Sequence, residues 1–216
     1  MSPFVDPYCY PDSDCLRNKL DIHDPKELDR AERFLVHDRT RQGVPVGNFD
    51  LAHLRAIHKH LFQDVYEWAG EVRTINISKG DTKFASTAEI PSGMVVLQKR
   101  LAANSFLRGM NKTDFSHHAS HIIGQVNYLH PFREGNGRTQ LQYLKQLAEN
   151  AGHKLDLTKF RGKKWIEASR ESHHERYEPM RKIIRGALVE PKKDREQERQ
   201  AALQRLLEIQ QRGRGR

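Results

Sequence analysis

The sequence predicts a mainly α protein, a helical bundle carrying one β-hairpin. Three observations predict it. Apolar residues recur at helical spacing through most of the stretch 24–184, helix-start signals precede several of these stripes, and one segment, 72–85, breaks the pattern with strand formers around a Gly-Asp turn.

Asp24-Pro25-Lys26-Glu27 reads as a cap, a proline at the first helical position and a glutamate three residues after the cap. Leu28, Ala31, Phe34 and Leu35 then fall on one face. A second helix starts near Asp50, with Leu51, Leu54, Ile57, Leu61 and Phe62 in phase, and a third starts near Ala88, with Ile90, Met94, Leu97 and Leu101. The fourth is the clearest: Phe115, Ala119, Ile122, Ile123, Val126 and Leu129 keep one stripe. A fifth follows Gly137 with Leu141, Leu144, Leu147 and Ala148, and two more surround Trp165-Ile166 and Tyr177 to Ile184. In the exceptional segment Val72, Thr74, Ile75 and Ile77 favour a strand, Gly80-Asp81 a turn, and Lys83-Phe84 a return strand. Trp68 and Tyr66 are expected in the core just before it.

A chain of 216 residues suits one domain with an appendage. The expected division is a domain over 1–190, with its core at about 50–150 behind an N-terminal helical extension, and a charged tail over 191–216, helical or disordered. No apolar run is long enough to span a bilayer, and the N-terminal residues lack the basic start and apolar stretch of a secretory leader. Cys9 and Cys15 are too few for a disulfide framework or a zinc set and read as ordinary thiols. His117, His118 and His121 lack a third-element ligand and read as a solvated helix face. The net charge of +9 invites a nucleic-acid reading, but 191–216 holds eight Lys/Arg against four Asp/Glu and so contributes +4 of it. Direct nucleic-acid binding is therefore not expected.

Chemistry concentrates in His130-Pro131-Phe132-Arg133-Glu134-Gly135-Asn136-Gly137-Arg138, between the fourth and fifth helices. Pro131 disfavours helical geometry at His130, so the long helix ends there. Gly135, Asn136 and Gly137 all tolerate positive φ, which lets the backbone form a concave run of N–H groups. The next helix begins at once and adds its free amides and positive dipole end. Arg138 offers a fork for phosphate oxygens, Glu134 a carboxylate suited to a Mg²⁺ ion bridging phosphates, and His130, expected near neutral pKa, a proton acceptor.

This segment resembles the signature of the Fic family, HPFx[D/E]GNGRxxR, and matches every specified position except the last, where Leu141 stands. Residues 58–73 resemble the family's segment ahead of its hairpin, Ile77-Ser-Lys-Gly80 onward its flap, and Tyr8 to Leu20 the opening of short bacterial Fic toxins. The resemblance implies a Fic-type helical bundle with a β-hairpin flap. It also implies a protein adenylyltransferase that moves AMP from ATP to a Tyr, Ser or Thr hydroxyl of a target protein. On that resemblance His130 is the general base, Glu134 holds Mg²⁺, and Phe132 is buried as an anchor. Gly135, Asn136 and Gly137, with the Asn136 side chain, form the anion hole, and Arg138 contacts the β/γ end. The 75–85 hairpin pairs with the target, and Lys79 and Gly80 border the nucleotide.

Leu141 departs from the family's final arginine, a γ-phosphate contact whose loss costs about 1.5–3 kcal/mol. Its phase with Leu144, Leu147 and Ala148 suits a core position, and Gln140 is the neighbour placed to compensate. No [S/T]xxxE[G/N] inhibitory motif is present, which by the same resemblance points to a toxin restrained by a separate antitoxin in the bacterial cytoplasm. The alternatives are a translocated effector that modifies a host GTPase, and a Fic-fold binding module with weakened catalysis.

Overall fold

Asp24 caps the first helix as its sequence requires, its carboxylate accepting from the Glu27 amide at 2.8 Å. The computed structural model describes residues 6–189, so the tail expected at 191–216 lies outside the described residues. Helix α1 spans Pro25–Arg41 and α2 spans Leu51–Phe62, the latter capped by Asp50 onto the His53 amide. Strands β1 (Ser78–Lys79) and β2 (Thr82–Lys83) form the hairpin. Helices α3 (Glu89–Ala103), α4 (Lys112–Leu129), α5 (Asn136–Asn150), α6 (Lys163–Ser172) and α7 (Glu178–Ala187) follow. The fold is mainly α with a small hairpin, as the sequence predicts.

Helix α4 is the axis of the bundle and packs against α3, α5, α6 and α7. Its predicted stripe from Phe115 to Leu129 is buried throughout. A tight crossing with the start of α7 requires Gly124, where a Cβ would lie 2.5 Å from the Tyr177 ring. Helices α1 and α2 pack together on one side, and α2 also rests on α5. The buried aliphatic and aromatic residues of α2, α4, α5 and α7, with Met94, Leu97 and Leu101 of α3, belong to one continuous core.

Two local expectations are corrected. The buried stripe of α1 runs through Leu28, Glu32 and Val36, and Phe34 is 75% exposed. The predicted strand over Val72 to Ile77 is irregular chain, and the paired strands are two residues each, with Ser78 opposite Lys83 and Lys79 opposite Thr82. Here the Arg73 side chain occupies the Ile75 and Ala85 carbonyls, in competition with a regular ladder, and ties them to those of Leu129 and His130 at the end of α4. A further pairing absent from the sequence reading joins β3 (Lys154–Leu155) to β4 (Leu188–Val189), fastening the end of α7 beside the end of α5. Cys9 and Cys15 are both buried free thiols, and among the described residues no helix is long and apolar enough to cross a membrane.

Candidate active site

Helix α4 ends at His130, which takes the left-handed conformation at φ 43° and turns the chain toward Pro131. The next helix begins earlier than the sequence suggests. Gly135 is its N-cap at φ 78°, whereas Asn136 and Gly137 are already helical. The anion nest is therefore the first turn of α5, in which the amides of Asn136, Gly137 and Arg138 have no carbonyl of the preceding turn to bond. Gly135 is required twice over: its φ is left-handed, and a Cβ there would stand 2.3 Å from Phe62 Cζ.

The loop is braced by buried polar groups. Phe132 is fully buried, and the Asn136 carboxamide clasps it from both sides. The Phe132 amide donates to Oδ1 at 3.0 Å, and Nδ2 donates to the Phe132 carbonyl at 2.7 Å. The Asn136 side chain thus braces the loop, while the residue also lines the cavity. His58 lies beneath, stacked on Phe132 at 3.9 Å. The Gly70 amide donates to its Nδ1 at 2.8 Å, so the ring proton sits on Nε2 and reaches the Glu134 carbonyl at 3.0 Å. Burial pushes the His58 pKa down to about 3, so it serves as a neutral strut. Arg73, 2% exposed, donates to the carbonyls of His130, Leu129, Ile75 and Ala85, linking the loop to both roots of the hairpin. At the other edge, Arg133 is fixed by Asp6 at 2.7 Å.

His130 Nδ1 donates to the Asn127 carbonyl at 3.1 Å, which leaves Nε2 as the unprotonated nitrogen. The ring stacks on Phe84 of the hairpin, with centroids 3.7 Å apart. Burial pushes its pKa down to about 4, against the Asn127 hydrogen bond that favours the cation, and the nearby positive charges of Arg73, His173 and Lys79 add to the depression. The near-neutral pKa expected from sequence is corrected: the imidazole is uncharged at pH 7 and free to accept a proton. The Glu134 carboxylate is about half exposed, accepts from the Gly135 amide at 2.8 Å, and lies 3.5 Å from Arg138. Arg138 is ion-paired with the buried carboxylate of Glu32, and its guanidinium carbon lies 4.8 Å from the Phe62 ring centroid. Burial raises the Glu32 pKa, while Arg138 and a hydrogen bond from Tyr66 act in the opposite direction.

His130 and residues Glu134 to Arg138 form the floor of a cavity of about 900 Å³. The hairpin contributes Ile75, Ile77, Lys79 and Phe84 to its wall, and α6 with the chain before it contributes Phe160, Trp165, Ile166, Ser169 and Arg170, with His173 at its end meeting Phe84. Of the residues predicted for the site, His130, Glu134, Gly135, Asn136, Gly137, Arg138 and Lys79 all line this cavity. Gly80 is not among its lining residues: it is exposed at φ 57° and makes the hairpin turn. Leu141, expected in the core, is only half-buried and lines the cavity beside Gln140, whose buried Nε2 has no hydrogen-bond partner among the described residues.

Sequence reasoning missed Glu32, Arg73, the role of His58 and the whole α6 wall. Glu32 did leave a signal, since a carboxylate one turn from Leu28 and one turn from Val36 sits in a buried stripe.

A cavity lined by a helix N-terminus, an imidazole, a carboxylate and a guanidinium is suited to holding phosphate groups. Comparison with known proteins agrees. The Fic/DOC family profile matches residues 48–148. The chain is 44% identical over 164 residues to a probable protein adenylyltransferase of Sinorhizobium fredii, an alignment covering 76% of this chain and 85% of that protein. It is 39% identical over 189 residues to the protein adenylyltransferase VbhT of Bartonella schoenbuchensis, covering 86% of this chain but 39% of that protein. A crystal structure of the N-terminal Fic domain of a Bartonella quintana VirB-translocated effector with bound ADP superimposes with a TM-score of 0.77 at 30% identity, covering 86% of this chain and 95% of that one. The chain belongs to the Fic/DOC family and is a Fic-type enzyme of the protein adenylyltransferase class.

Proposed function

We propose that the protein transfers AMP from ATP to a Tyr, Ser or Thr hydroxyl of a target protein that pairs with the 75–85 hairpin. The observation that carries this reading is the open Nε2 of neutral His130 beside the free amides of α5. His130 takes the proton as the hydroxyl oxygen forms its bond to the α-phosphorus. The bond from that phosphorus to the β-phosphate oxygen breaks, and diphosphate leaves. The free amides of Asn136, Gly137 and Arg138 hold phosphate oxygens in place, that of Gly135 being bonded to the Glu134 carboxylate, and the Arg138 side chain lies toward the β/γ end. Lys79 stands close enough to His130 to depress its pKa and adds positive charge on the hairpin side.

The donor set at Glu134 fits Mg²⁺. The residue offers one accessible carboxylate in the cavity, and no cluster of three or more His, Cys, Asp or Glu suited to a metal occurs among the described residues. That matches an ion carried largely by nucleotide phosphates, and Mg²⁺ supplies charge neutralisation there when bound. Control by a separate antitoxin completes the proposal and rests on the missing inhibitory motif. The chain from 1 to 190 acts as the catalytic domain, with 191–216 as an appended tail.

The test is incubation of the full chain with ATP labelled at the α-phosphate, Mg²⁺ and a bacterial lysate, beside His130→Ala. A labelled target band is expected, reduced about 10²- to 10⁴-fold by the substitution, as removal of a general base predicts, with ATP affinity nearly unchanged. Equal labelling by the two proteins would refute the assignment.

A further inference from the structure

We infer that Glu32 is a positioning residue for the transfer reaction: it fixes the Arg138 guanidinium at the cavity floor and keeps it off the Glu134 carboxylate. The inference rests on the reading of Arg138 as a phosphate contact.

Arg138 Nη2 has two carboxylates within reach, Glu32 in ion-pair contact and Glu134 at 3.5 Å. Their environments differ. The Glu32 side chain is 5% exposed and that of Glu134 is 47% exposed. Water screens the second attraction far more than the first, so the guanidinium settles on Glu32. The Tyr66 hydroxyl donates to the other oxygen of Glu32 at 2.5 Å, so the carboxylate cannot rotate with its partner. Phe62 closes one face of the guanidinium. Arg138 Nε and Nη1 donate to no protein acceptor among the described residues, and the residue lines the cavity. One nitrogen is therefore anchored behind the floor, while the others stay available to a ligand.

Without the buried carboxylate, Glu134 becomes the nearest anion to Arg138. The two would close on each other across one turn of α5, withdrawing both from a nucleotide. An unanchored arginine also loses more rotamer freedom at each binding event. The sequence placed Glu32 on a helix whose apolar stripe seemed to serve packing alone. Its isolation in that stripe is explained by the charge it meets on α5.

The experiment is calorimetric titration of ADP into the full chain and into Glu32→Gln, Arg138→Ala and the double variant. Glu32→Gln, nearly equal in volume, is expected to weaken ADP binding about tenfold, as loss of a charge-assisted contact predicts. In the Arg138→Ala background the same change is expected to alter affinity less than about twofold, because the pair acts as one unit. A packing role would instead give additive losses. Tyr66→Phe is the second variant: it frees one oxygen of Glu32, keeps the ion pair, and is expected to weaken binding about twofold to threefold. Wild-type or tighter binding by Glu32→Gln, or equal losses in both backgrounds, would overturn the inference while leaving Arg138 as a phosphate contact. Unchanged binding by Arg138→Ala would overturn both.

Discussion

The floor of the cavity and its hairpin wall are built by opposite means. On the floor, buried polar side chains hold main-chain groups that no secondary structure satisfies: Asn136 clasps Phe132, His58 bridges Gly70 and Glu134, and Arg73 gathers four carbonyls. The hairpin has two-residue strands, an exposed turn and few buried side chains beyond Ala85. The difference teaches where precision is needed. Phosphoryl transfer depends on fixed donors, so the floor uses buried hydrogen bonds, each of which is costly to leave unmade. The hairpin leaves its main-chain edges open, which on the proposed function suits pairing with an extended segment of a target.

Substitutions can break this contrast. The largest effect is expected from Gly135→Ala, which combines a left-handed φ with a Cβ driven into Phe62. Strain and overpacking together predict a loss of roughly 3–5 kcal/mol in unfolding free energy and a displaced loop that no longer binds ADP, measured by calorimetry. Asn136→Ala should follow. Leaving the Phe132 amide and carbonyl unpaired in a buried loop predicts about 2–4 kcal/mol in urea unfolding, with nucleotide binding weakened in parallel.

The hairpin should respond differently. Gly80→Pro forces φ from 57° toward the proline value and breaks the turn, yet stability is expected to change by less than about 1 kcal/mol at so exposed a site. Labelling of the target should fall about tenfold with ADP affinity intact, since only docking is disturbed. Equal losses of nucleotide and target binding would show that the two regions are not separable.

The smallest effect at neutral pH concerns His130. Its pKa is pushed down to about 4, and a base is competent when unprotonated, so competence persists as pH falls and is lost only on passing below that value. The transfer rate is expected to lack an acid limb of His130 near 6.5, the ordinary histidine value, and to fall only toward about 4. A limb near 6.5 would mean that the ring is solvated in the working enzyme.

Much of this was legible in advance at positions where local chemistry is decisive. The Asp24 cap, the helix start near Asp50 and the α4 stripe follow from side-chain oxygens and helical period, whereas of the three residues 135–137 that tolerate positive φ only Gly135 adopts it. The errors share a cause. Phe34, Leu141 and the 72–77 segment were assigned by pattern alone, which does not fix what lies against each face: Phe34 faces solvent, Leu141 the cavity, and Arg73 reaches the Leu129 and His130 carbonyls.

The sequence by itself determined the helical body, the hairpin turn, and the order of base, carboxylate, nest and arginine from His130 to Arg138, because these depend on residues within a few positions of one another. Only the tertiary structure decided that Glu32 holds Arg138, that Arg73 ties the hairpin to the loop, that the Asn136 side chain braces the loop, and that α6 closes the cavity. All but the Asn136 brace, which spans four residues, are contacts between separate elements. Burial makes each one costly to leave unpaired, and no local spacing reveals which partner will arrive.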